Sequence, residues 1–156
     1  KSLLGQDILY GAFTFNMPFQ EALLELKQNK KKYQNIVLGG GTSYAIRRAS
    51  FKRKKDRVYS LTLTSKKTLN LKQASGYLNK SRSYFEKAGY TVVYADKHWS
   101  EPLLRDPQKP CIRLANKDKN LLIEMEPIGQ GAIYNIYITY YSYDWFVAKV
   151  TGKTAL

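Results

Sequence analysis

With 156 residues, 44% of them hydrophobic and 24% charged, the chain is long enough to bury a core without a disulfide or metal and too apolar to be disordered. No run approaches the roughly 18 consecutive apolar residues of a membrane-spanning helix, and the single cysteine, Cys111, excludes an internal disulfide or a zinc site of several cysteines. A formal net charge of +14 creates a field that attracts polyanions.

From the N-terminus, Ile8–Met17 alternates, with Leu9, Gly11, Phe13, Phe15 and Met17 on one side, and is predicted as a strand. Pro18 suits the first turn of a helix, and Phe19, Ala22, Leu23 and Leu26 recur at helical spacing. Glu21 near the start and Lys27 and Lys30 near the end match the helix dipole, so a helix is expected over about 18–30. A short apolar run, Asn35–Leu38, leads into Gly39-Gly40-Gly41-Thr42-Ser43. Tyr44–Phe51 reads either as a helix capped by Thr42 or Ser43 or, preferably, as a strand pairing with the clearly alternating Val58–Thr64. Lys52–Asp56 would then be a charged hairpin loop.

The clearest helix covers about 71–88. Leu71, Ala74, Leu78, Ser81, Phe85 and Ala88 keep steps of three and four, Asn70 and Gln73 form a capping box, and Gly89 fits the C-terminal cap. Tyr90–Ala95 is a strand, and an irregular loop punctuated by proline is expected from Asp96 to Pro110. Cys111–Ala115, Leu121–Glu126 (ended by Pro127) and Ala132–Tyr143 form a meander. Asp144–Val150 is either a capped helical turn or, as preferred, a further strand. The expected fold is α+β: a single domain spanning 1–156, predominantly antiparallel β-sheet with two main helices packed on one face.

Charge and aromatic rings are unevenly placed. Residues 1–78 hold 15 basic and 4 acidic residues, whereas residues 79–156 hold 11 and 8. Arg47, Arg48, Lys52, Arg53, Lys54, Lys55 and Arg57 form the densest cluster and are the candidate contacts for a polyanion or partner. Tyr134, Tyr137, Tyr140, Tyr141 and Tyr143 are candidate interface residues, because tyrosine is favoured both in strands and at protein contacts.

Motifs that would mark an enzyme are weaker. The Gly39–Gly41 run could bring backbone N–H groups to a phosphate, but Thr42 stands where the Walker pattern needs lysine. His98, Glu101 and Cys111 could form a small catalytic group, although no paired-histidine or HExxH spacing accompanies them. Glu124 and Glu126 share a strand face, which suits acid/base work as well as a solvated surface. The balance favours a non-enzymatic binding or structural module that needs no cofactor and docks on a protein partner. The alternative is a nucleic-acid-binding protein that uses the basic 47–57 loop on phosphates or on another anionic surface. The first residue, Lys1, the low cysteine usage and the 13 tyrosines lead to the expectation of a secreted or bacterial envelope setting, with a cytoplasmic protein as the alternative.

Overall fold

The computed structural model describes residues 8–39, 41–94, 99–105, 111–130 and 132–152. Strands β1 (Ile8–Tyr10) and β2 (Phe13–Thr14) form a small hairpin. The predicted single strand breaks there because Gly11 turns at φ +57. Helix α1 (Phe19–Gln28) follows Pro18 as expected, and a further turn, α2 (Lys30–Tyr33), extends it. Strands β3 (Ile36–Val37) and β4 (Ser43–Ala45) pair antiparallel across the glycine run.

The predicted 44–51 strand is interrupted. A 3-10 turn at Arg48–Ser50 separates β4 from β5 (Phe51–Lys54), and β6 (Arg57–Ser65) pairs with both. Most of the expected charged loop is therefore strand, and Lys55 and Asp56 alone make the turn, with Lys55 at φ +56. Helix α3 (Leu71–Lys87) has the capping box foreseen: Asn70 Oδ1 accepts from the Gln73 N–H at 2.8 Å and Gln73 Oε1 from the Asn70 N–H at 3.1 Å. Asn70→Ala should lower stability by about 1 kcal/mol, read as a shift of the thermal midpoint.

Strand β7 (Thr91–Tyr94) precedes a short helix, α4 (Glu101–Arg105), in the region expected to be loop. Strands β8 (Ile112–Ala115), β9 (Leu121–Gln130) and β10 (Ile133–Ser142) then form the meander. Strand β9 runs through Pro127 instead of ending there. Pro127 faces Ile136, whose N–H is turned towards Ser65 of β6, so the N–H that proline lacks would have pointed away from β10. On that side β8 begins only at Ile112, opposite Met125. Proline therefore breaks no ladder bond among the described residues. The last element, α5 (Tyr143–Val150), is a helix and not the preferred strand; Ser142 caps it, with Asp144 in its first turn and Lys149 in its last.

The large sheet runs β3-β4-β6-β10-β9-β8-β7, with β5 also on β6, and its pairs are antiparallel. Leu61, Leu63, Ile123, Met125, Ile136, Ile138 and Tyr140 form one face, and α3 covers it with Ala74, Leu78 and Phe85. Helix α1 joins the same core through Phe19 and Ala22 beside Phe51. The α+β architecture, with one large antiparallel sheet and α1 and α3 packed on one face, is as the pattern predicts, while α5 lies on the other face. None of the helices among the described residues is long and apolar enough to cross a membrane.

Candidate functional site: a basic and aromatic strip

The second face of the sheet carries Thr62, Thr64, Tyr137, Thr139, Tyr141, Glu124 and Glu126. Thr62 and Thr139 join hydroxyls at 2.9 Å across the β6–β10 pair. Arg47 and Lys52 stand beside these residues, and together they bound a groove of about 390 Å³. Helix α5 folds back over the lower end of this face.

Local geometry puts the aromatic residues of that end together. A bulge in the β5–β6 pairing, where Lys52 faces Ser60 and Arg53 faces Val58, leaves Tyr59 without an opposite residue. Trp145 of α5 stacks on the Tyr59 ring at 4.6 Å and lies parallel to the Tyr141 ring, 6° apart at 5.9 Å. Phe146 packs on Tyr141, with the Arg113 guanidinium 5.0 Å from the Phe146 ring centre and the Lys149 ammonium 5.1 Å from that of Trp145. Tyr59 and Trp145 in turn line a hollow of about 290 Å³ with Lys54, Lys55 and Arg57. Tyr141, Trp145 and Tyr59 thus connect the groove to a hollow rich in cations.

The seven basic candidates are all exposed, but they do not act as one patch. Arg47 and Lys52 line the groove; Lys54, Lys55 and Arg57 line the hollow. Arg48 and Arg53 sit over the Phe19 ring at 5.2 and 4.0 Å, and Arg53 also approaches Asp56 at 3.6 Å. The five-tyrosine surface narrows too. Tyr134 and Tyr140 are core residues, 1% and 4% exposed, because they lie on the helix-covered face, while Tyr137, Tyr141 and Tyr143 stay partly exposed. Reading the sequence missed Tyr59 and Lys149, whose places depend on the bulge and on the fold-back of α5.

Glu124 and Glu126 do share the second face. Glu124 is held by the Arg113 Nε–H at 2.8 Å and accepts weakly from the Cys111 thiol at 3.6 Å. Burial, followed by the Glu124 charge, pushes the Cys111 thiol up to about 11, the opposite of what a nucleophile needs. His98 lies outside the described residues, and Glu101 opens α4. The glycine run leads into a strand, not a helix, so it lacks the dipole a phosphate loop uses. Gly39 instead allows close packing, since a Cβ there would meet the Tyr84 ring at 2.7 Å.

Burial, then the Glu124 charge, raises the Glu126 carboxyl above its ordinary value, while Arg113 and Lys52 partly offset this. A raised carboxyl binds its proton more tightly when folded, so this contribution to stability falls as pH rises from the ordinary carboxyl value to the raised one. Glu126→Gln should therefore melt at a higher temperature than the parent at about pH 7 and lose that advantage at about pH 3. Comparison with family models, curated proteins and solved structures finds no match to this chain.

Proposed function

We propose that the protein is a non-catalytic binding module that docks on an acidic surface of a partner protein through the strip made by the β5–β6 hairpin and α5. One observation carries this reading: Lys54, Lys55 and Arg57 share a hollow with the stacked Tyr59 and Trp145 rings. Rigid rings supply contact area at low entropic cost, and neighbouring cations supply steering and complementarity. Trp145 already lies against both Tyr59 and Tyr141, so much of the ring face is used within the protein and little is left for a nucleic-acid base to stack on. Lysines outnumber arginines 19 to 7 in the chain, which suits diffuse charge pairing more than bidentate phosphate reading.

Nucleic acid is the second reading, favoured by the same three cations lying beside aromatic rings. Isothermal titration calorimetry with polyglutamate and with a short single-stranded oligonucleotide at several salt concentrations separates the two. Saturable binding of polyglutamate with little response to the oligonucleotide supports protein docking. The reverse result supports the second reading, and no binding of either at low salt overturns both.

A further inference from the structure

On the opposite face of the sheet, a cavity of about 550 Å³ opens between the β1–β2 hairpin, the C-terminal end of α3 and the β8–β9 turn. We propose that this cavity is a binding site for an uncharged aromatic small molecule that carries a hydrogen-bond-accepting oxygen.

The volume falls within the usual range for small-molecule sites. Four phenols border it, Tyr10, Tyr84, Tyr90 and Tyr140, on walls that include Phe85 and Leu121. None of the described residues that line it carries a charged side chain, in a chain with 26 basic and 12 acidic residues. An anion placed there would lose its hydration without gaining a cation, so a neutral ligand is selected.

Tyr140 gives the strongest indication. It is 4% exposed, and its hydroxyl bonds to none of the described residues. The other deeply buried tyrosines differ. The Tyr33 hydroxyl donates to Glu25 at 2.6 Å, Tyr44 meets the Ser81 hydroxyl at 3.4 Å, and Tyr134 donates to the Leu104 carbonyl at 3.3 Å. The ring lies in the core, but the hydroxyl oxygen is not sealed off from the cavity, and phenylalanine would fill the same core space without presenting a donor there. The Tyr140 hydroxyl is thus placed to donate to something that enters the cavity.

Ring geometry sets the shape of that ligand. Tyr10 meets Tyr140 at 5.6 Å, Phe85 meets Tyr90 at 5.4 Å, and Phe85 meets Tyr140 at 6.4 Å, all tilted or edge-on. Such walls receive a flat ring on their faces and edges. Burial, then the neighbouring phenols, raises Tyr10, Tyr90 and Tyr140, so these groups stay protonated and act as donors. A sugar would need more polar partners than the walls provide. Asn116 is committed to the turn, where its Oδ1 accepts from the Asn120 and Leu121 N–H groups and its amide donates to Asn120.

The test uses 6-propionyl-2-(dimethylamino)naphthalene, an uncharged naphthalene with one carbonyl, whose emission reports polarity and hydrogen bonding. The full chain should bind it saturably, one to one, with emission shifted to the blue. Tyr140→Phe should bind about three- to tenfold more weakly while melting no lower than the parent, since it removes a hydroxyl without a protein partner. Ala88→Trp, a change at an exposed rim position, should block the cavity without disturbing the core. Tyr137→Phe, on the other face, should bind like the parent. Absence of saturable binding, or unchanged affinity in Tyr140→Phe or in Ala88→Trp, overturns the proposal. None of these outcomes depends on the cationic strip, so failure here and failure of the docking reading are distinguishable.

Discussion

Gly129→Ala should destabilise the domain by about 2–4 kcal/mol, the largest loss expected from a methyl group added at any of the described glycines. Gly129 lies in β9 at φ +150, a conformation that side chains rarely adopt. A Cβ there would sit 2.2 Å from the Ile133 carbonyl oxygen and 2.9 Å from the Tyr134 Cα, both of them backbone atoms that no rotamer change can move. Gly129 faces Tyr134 across the β9–β10 pair, and Tyr134 exchanges two backbone hydrogen bonds with Leu69 at 2.8 and 2.7 Å. The displacement would therefore reach the segment leading into α3. Gly76, inside α3, is the comparison: nothing lies within 4 Å of a Cβ built there. Gly76→Ala should stabilise the protein by about 0.5–1 kcal/mol, because alanine favours the helix and restricts the unfolded chain. Denaturant midpoints with unchanged slopes would measure both, and equal effects from the two substitutions would refute the backbone explanation.

Where one physical signal dominated, the sequence was enough. Strict alternation marked β6, β9 and β10, and the Asn70–Gln73 pair marked the start of α3 to the residue. The misreadings arose where tertiary contacts outweighed local preference. Tyr143, Trp145, Phe146 and Val147 are all good strand residues, yet Ser142 caps a helix there and the Trp145 and Phe146 rings find partners on Tyr59 and Tyr141. Lys52 and Lys54 read as a solvated loop because no apolar residue in the segment reveals that β5 is held by pairing along β6.

The two candidate sites were hidden for a different reason. Basic residues around 55 and aromatic residues around 145 stand far apart in the chain, and only the bulge at Tyr59 and the return of α5 join them. The four phenols of the opposite cavity come from β1, α3, the residue just before β7, and β10, so no periodicity connects them. Composition registered the excess of tyrosine but could not separate Tyr140, a core residue, from Tyr141, its neighbour on the other face.

The triple variant Lys54→Glu, Lys55→Glu and Arg57→Glu should weaken polyglutamate binding about 30- to 100-fold at about 0.1 M salt, where the Debye length is about 10 Å. Each reversal removes one attraction and adds one repulsion at the hollow, and exposed pairs contribute a few tenths to about 1 kcal/mol each. Net charge alone would also weaken binding of an anion to a chain that starts at +14, so the comparison must hold it fixed. Lys30→Glu, Lys31→Glu and Lys32→Glu make the same charge change in α2, outside the strip, at exposed positions. That variant should lose less than about threefold, because exposed charges beyond a Debye length are largely screened. Trp145→Ala adds a test that charge cannot mimic. It removes the ring between Tyr59 and Tyr141 and should weaken binding with no change in its salt dependence. Equal losses in the two triple variants would show that binding follows net charge, and the hairpin strip would then have no claim as the docking surface.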